Sequence, residues 1–212
     1  MKARDNPFST SRVLRMRYRL EAGEWDSLLD RLAGLQFRAA LVGPHGSGKT
    51  TLLEDLQPRL ETMGFRVHWL RLREDHRALP SDFLSEVLPG LGRSDILLFD
   101  GAEQLPGWNW AWFKWQARRA GGLVITTHQP GRLPLLRACA TDPDLLATLV
   151  RELTGPEAEV WEKEAAKLFH PHQGNVRDVL RKLYDQWAAL PGPTERGRCA
   201  ARAFVEQPRA SR

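Results

Sequence analysis

One run of residues constrains this 212-residue chain more than any other: Gly43, Pro44, His45, Gly46, Ser47, Gly48, Lys49 and Thr50. Its glycine spacing fits a phosphate-binding loop, in which backbone N–H groups close around an anion at the positive end of a helix. The flanks agree. Phe37–Val42 reads as a buried strand, and Lys49–Met63 as a helix with Leu52, Leu53, Leu56 and Leu60 on one face and a kink expected at Pro58. A loop between a strand and a helix is the context such a motif needs. Lys49 is expected to reach the β- and γ-phosphates of a nucleotide, and the Thr50 hydroxyl to ligate Mg²⁺. Gly43 through Thr51 form the expected nucleotide-binding set.

Asp95-Ile-Leu-Leu-Phe-Asp100 supplies a second element. An apolar strand ending in Asp puts a carboxylate at the carboxyl edge of a sheet, where open α/β folds bind ligands. Asp100 is expected to hold Mg²⁺ through its water shell. Further strands read at Phe65–Leu72, Leu123–Thr127 and Leu135–Ala140. A short helix reads near Ser81–Leu88, and a tryptophan-rich helix follows Asp100. After Thr141 only helices are expected: one capped by Asp142 with Pro143 at its first position and stopped by Gly155, one over Glu157–His170, and one from Asn175. The last carries Val176, Val179, Leu180, Leu183, Tyr184 and Trp187 in one stripe. The expected organisation is a basic segment over 1–23, an α/β core over 24–141, a helical lid over 142–190 and a disordered basic tail over 191–212.

Over about residues 24–190 the chain resembles the P-loop ATPases of the additional-strand class, which includes AAA+ proteins, RecA and ABC ATPases. The phosphate-binding loop, the Asp100 strand and the polar strand end Ile125-Thr-Thr-His128 carry the likeness. The helical piece, with Gly174-Asn-Val-Arg177 opening its last helix, is similar to an AAA+ lid and its second sensor. The resemblance implies a P-loop NTPase fold, a mostly parallel five-stranded sheet flanked by helices and followed by a small all-helical lid. It also implies ATP and Mg²⁺ as ligands, and Mg-dependent ATP hydrolysis that serves as a switch or motor on a macromolecular partner. Carried over by position, Thr127 is the first sensor, with Thr126 and His128 as alternatives, and Arg177 is the second. Arg177 sits in a helix first turn capped by Asn175 and Asp178, where a cation opposes the helix dipole, so its placement suggests another benefit such as a phosphate.

One position departs from the family pattern. Those enzymes usually place a Glu directly after the Mg²⁺-site Asp to polarise the attacking water, and this chain has Gly101 there. Glu103, in the turn leaving the same strand, and Glu74, after the neighbouring strand, are the candidates for that role. An arginine from a neighbouring subunit often completes such sites, and Arg118, Arg119, Arg132 and Arg137 are available. A nucleotide or small-molecule kinase, with Asp75-His-Arg77 at an acceptor, and a nucleotide-binding scaffold with little hydrolysis are the competing readings.

The formal net charge of +5 has a lopsided source. Residues 1–19 carry +5 and residues 191–212 carry +3, leaving −3 on the body between. Any nucleic-acid role is therefore expected to run through the basic termini. In Trp108-Asn-Trp-Ala-Trp-Phe-Lys-Trp115, Trp108, Trp112 and Trp115 share one helical face, opposite Trp110, Phe113 and Ala117. One face should pack on the sheet. The other needs the lid, the amino-terminal segment, a protein partner, or the bases of single-stranded nucleic acid. Cys139 reads as a packing residue, and His170-Pro-His172 as a connector. No apolar run is long enough to span a bilayer. Two cysteines, Cys139 and Cys199, make no disulfide scaffold, which points to a reducing compartment; the expected setting is the cytoplasm, with a protein partner or further copies of the chain.

Overall fold

The computed structural model describes residues 6–21, 23–75 and 77–190. Along the chain lie α1 (Thr10–Val13), α2 (Glu24–Gly34), β1 (Arg38–Val42), α3 (Lys49–Thr62), β2 (Arg66–Arg71) and β3 (Asp95–Asp100). There follow α4 (Gly107–Ala117), β4 (Gly122–Thr127), β5 (Leu135–Ala138), α5 (Pro143–Thr154), α6 (Ala158–Phe169) and α7 (Val176–Ala189). The short helix expected near Ser81 is wound as a π-type turn at Phe83–Val87, continuing into a 3₁₀ turn at Leu88–Gly90. Helix α3 runs on through Pro58 to Thr62.

The chain forms two compact units, Arg17–Ala140 and a second built from both ends of the chain, described here by residues 6–16 and 141–190. The first is an α/β unit. Its five strands run in the order β2-β3-β4-β1-β5, and every pairing is parallel. The mostly parallel sheet read from the sequence is thus wholly parallel. Alternation along each central strand feeds two separate cores. Ala39, Leu41, Ile96, Leu98 and Val124 point to the side covered by α2 and α3, where they meet Leu28, Leu32, Leu52, Leu53, Leu56 and Leu60. Ala40, Val42, Leu97, Phe99, Leu123 and Ile125 point to the other side, where α4 supplies Trp110, Phe113 and Ala117. Strands buried on both faces account for the unbroken apolar runs.

Two charged residues hold the amino-terminal edge of this sheet. The Arg38 guanidinium donates to the carbonyls of Ala117, Arg118 and Ala120 at 3.2, 3.1 and 2.7 Å, capping the end of α4. Asp95, 1 % exposed, accepts from the Gly92 N–H, Arg66 and His68 at 2.8, 3.0 and 2.8 Å.

The second unit is helical and includes residues that the sequence reading had placed in a basic segment over 1–23. The unit boundary falls at Met16, because Phe8 is a core residue of the helical unit. Its ring meets Trp161 edge-on at 5.3 Å and Trp187 at 6.3 Å. Asn6 anchors the same stretch, donating to the Tyr184 carbonyl at 2.9 Å. Asp142 caps α5 through the Leu145 N–H, and Asn175 caps α7 through the Asp178 N–H. The tail expected over 191–212 lies outside the described residues.

Candidate functional site

The strand order decides which side chains can meet. β4 lies between β1, which leads into the glycine loop, and β3, which ends in Asp100. Val42 registers with Thr127, and Phe99 with Ile125. The three carboxyl ends therefore finish side by side, at the place where open α/β sheets bind ligands.

The loop after β1 is held from both neighbours. Gly43 N–H donates to the Thr127 carbonyl at 3.2 Å, and Cys139 N–H to the Val42 carbonyl at 2.6 Å. A Cβ at Gly43 would lie 2.1 Å from the Cys139 carbonyl oxygen and 2.7 Å from Ser47 Oγ, so only glycine fits. Gly46 and Gly48 turn the chain with φ of +72° and +80°, the alternation that makes a nest of N–H groups. Ser47 Oγ donates to the Pro44 carbonyl at 2.9 Å, and Lys49 Nζ to the Gly43 and Pro44 carbonyls at 2.8 and 2.7 Å. The loop is thus tied closed by its own lysine and serine.

Thr50, at the start of α3, donates through Oγ1 to Asp100 Oδ2 at 2.9 Å. Thr126 donates to the other oxygen, Oδ1, at 2.6 Å, and accepts the Gly101 N–H at 2.8 Å. A hydroxyl and a carboxylate thus stand together beside the glycine loop. That hard-oxygen pair suits Mg²⁺, whose remaining ligands are usually water and phosphate oxygens.

The polar end of β4 divides its work among three consecutive residues. Thr126 serves Asp100. Thr127, 2 % exposed, turns its hydroxyl to the Gln129 carbonyl at 3.1 Å. His128 faces Glu103, with Nε2 to Oε1 at 3.4 Å, and its ring meets that of His45 from the glycine loop, centroid to centroid at 3.9 Å. Burial pulls the His128 pKa below its ordinary value. His45 and Lys49 act in the same direction, while Glu103 and Glu74 oppose them.

Gly101 explains why no acid follows Asp100 directly. It adopts φ +85°, and a Cβ there would sit 2.3 Å from the Leu72 carbonyl oxygen. The next acid comes in a 3₁₀ turn at Ala102–Gln104. Glu103 lies in that turn, and its Oε2 is buried without a hydrogen-bond partner among the described residues. Glu74 is different: its side chain is 72 % exposed and stands 4.0 Å from His45.

Of the arginines available to a neighbouring subunit, two are engaged inside the α/β unit. Arg137 pairs with Glu24 at 2.9 Å, and Arg132 donates to the Leu105 carbonyl at 2.7 Å. Arg118 lies over the Trp115 ring at 4.7 Å, and Arg119 is exposed. In the helical unit, Arg177 is exposed in the first turn of α7. Asp178 pairs with Asn175 and Arg181 instead.

Tyr18 belongs to this neighbourhood and was not found by sequence reasoning. Its ring carbons come within 3.0 and 3.1 Å of the Cβ position of Gly48, so it backs the glycine loop. Burial and the Cys139 thiol push its pKa up to about 12, against the pull of Arg137. Its N–H and Arg17 both bind Asp55 on α3, at 2.8 and 2.7 Å. No local motif marks it, because the contact joins residues far apart in the chain. Burial likewise raises the Cys139 thiol pKa, consistent with a packing residue.

No protein-family model matches the sequence, and no curated protein sequence matches it. Among solved structures, a crystal structure of a DNA replication initiation factor aligns at TM-score 0.51 and 16 % identity, over 78 % of this chain and 61 % of its own. Two variants of Thermotoga maritima RuvB align at TM-score 0.42, with 16 and 14 % identity, over 76 % of this chain and 67 and 68 % of theirs. The chain spans about three fifths of the initiation factor's length. What it shares with that protein is the fold: a parallel P-loop NTPase sheet flanked by helices, with a helical segment after it. Among the described residues, no helix is long and apolar enough to cross a membrane.

Proposed function

We propose that this chain binds ATP with Mg²⁺ on the glycine loop and hydrolyses it, using nucleotide state as a switch or drive for a macromolecular partner. The observation that carries the reading is the Thr50–Asp100 hydrogen bond. It joins two motifs recognised independently in the sequence, which supports reading the pair as Mg²⁺ ligands beside a phosphate-binding loop. Backbone N–H groups of residues 46–51 would hold the phosphates, and Lys49 would exchange its loop carbonyls for the β- and γ-phosphate oxygens. Bound Mg²⁺, held by Thr50 and Asp100, would supply positive charge to those oxygens.

Glu103 is the proposed base. Oε1 is held towards His128, leaving the buried Oε2 as an acceptor for the proton of an attacking water. His128 Nε2, 3.4 Å from Oε1, would orient the Glu103 carboxylate, which makes His128 a positioning residue. His128, an alternative to Thr127 for the first sensor in the sequence, is the residue proposed for that place, since the Thr127 hydroxyl is turned to the Gln129 carbonyl. Arg177 retains the second-sensor role as a proposal. Protein partner, further copies and cytoplasmic setting are part of the same reading.

Phosphate-release kinetics with measured ATP affinity test it. Glu103→Gln should lower turnover by about 10²–10⁴-fold with ATP affinity unchanged, and Glu74→Gln should change neither. Turnover insensitive to both substitutions would leave a nucleotide-binding scaffold in place of an ATPase.

A further inference from the structure

Helix α4 has two faces of different fate. Trp110, Phe113 and Ala117 are buried against the sheet, whereas Trp108, Trp112 and Trp115 are 76, 43 and 51 % exposed. The three exposed indoles lie within one narrow sector of the helix, spread over about 10 Å of its length. So much aromatic surface on one face is uncommon in a protein that has no partner for it.

The charge around that face says what the partner is. Between Glu103 and Asp142 the chain carries Lys114, Arg118, Arg119, Arg132 and Arg137 and no carboxylate. Lys114, Arg118 and Arg119 are exposed, and the Arg118 guanidinium stacks over the Trp115 ring at 4.7 Å. Exposed Arg93 adds a further cation where the chain leaves α4, since Gly121 N–H binds the Gly92 carbonyl there at 3.1 Å. Asp82 and Glu86 belong to the segment whose Phe83 covers the Phe113 side. A row of indoles ending in uncompensated arginines fits a ligand with stackable bases and a polyanionic backbone. It suits a second copy of itself poorly, because a two-fold contact would bring the same arginines together.

We infer that the outer face of α4 is a docking surface for single-stranded nucleic acid, with bases stacking on Trp108, Trp112 and Trp115 and phosphates meeting Arg118 and Arg119. The acidic balance of the chain's body points to the basic termini, whereas the aromatic spacing in α4 also admits stacked bases. The exposed cations at α4 add a second candidate surface to those termini.

The test is fluorescence anisotropy of labelled oligo-dT with the full chain, without nucleotide, over a range of salt. Binding should weaken as salt rises. Each single Trp→Ala change on this face should weaken it about tenfold, and the triple change by a hundredfold or more. The triple Trp→Phe variant should keep most of the affinity, since phenyl rings also stack. Arg118→Gln with Arg119→Gln should weaken binding and flatten its salt dependence. Changing Arg196, Arg198, Arg202, Arg209 and Arg212 to Gln should leave affinity within a few-fold. Heparin and a duplex of the same length should bind more weakly than oligo-dT. The inference is overturned if oligo-dT does not bind, or if the tail variant loses binding that the triple Trp→Ala variant keeps. It is equally overturned if that variant alters only the oligomeric state, measured by light scattering.

Discussion

Asp100→Asn should reduce Mg²⁺-dependent ATP hydrolysis by about 10²–10³-fold, the loss of several kcal/mol expected when a metal's charge is no longer held at the reacting phosphates. Asp100 accepts one threonine hydroxyl on each oxygen, Thr50 on Oδ2 and Thr126 on Oδ1. An amide of the same shape keeps the volume and one acceptor, so the fold should survive, but it removes the negative charge. ATP affinity measured without Mg²⁺ should stay within a few-fold of wild type, while the gain in affinity that Mg²⁺ confers should disappear. Titrations with and without the metal, beside phosphate-release rates, read both effects. A variant that hydrolyses at the wild-type rate would remove Asp100 from the site.

The largest stability effect is expected far from the nucleotide, at Asp95. Three donors converge on this buried carboxylate, from Gly92, Arg66 and His68. Burial alone would raise its pKa, but the bonds from His68, Gly92 and Arg66 together hold it below the ordinary aspartate value. Asp95→Ala leaves the Gly92 N–H unpaired at a turn that also receives Gly121. The cost should be about 2–4 kcal/mol, a fall in Tm of roughly 4–16 °C for a chain of this size. Because the folded pKa lies below the unfolded one, the stabilisation is complete above the ordinary aspartate range near pH 4. It is lost as pH falls through the folded value. Thermal melts from about pH 2 to about pH 7, spanning the ordinary aspartate range, should show this acid-side loss in the wild type and a shallower one in Asp95→Asn. An Asp95→Ala variant as stable as wild type would show that the bonds to this carboxylate contribute little.

The features legible in the sequence are those written over short spans. The glycine loop is followed by its helix, and the Asp95–Asp100 run is the strand it appeared to be. Asp142 and Asn175 cap the helices they were expected to cap. The split of the tryptophan helix into a buried and an exposed face also follows from spacing alone. What was hidden depends on strand order. No local pattern says that β4 enters between β1 and β3, and that insertion is what brings Thr126 to Asp100 and His128 to Glu103. Gly101 looked like a missing acid. The nearness of the Leu72 carbonyl shows a backbone position where a side chain has no room. Phe8 falls within the basic segment expected over 1–23, where no local pattern marks it, yet its ring is a core element of the helical unit.

The central claim is that Gly43–Thr51 holds the phosphates of ATP, and calorimetric binding of Mg·ATP to wild type and to Lys49→Ala tests it most directly. Lys49 is nearly buried, with its ammonium on the loop carbonyls. Removing it should cost at least the interaction of one charged donor with phosphate, about 1.5–3 kcal/mol or more. The account predicts saturable binding by the wild type and an affinity lower by tenfold to a hundredfold or beyond in a folded Lys49→Ala variant. Equal affinity in the two proteins would contradict it.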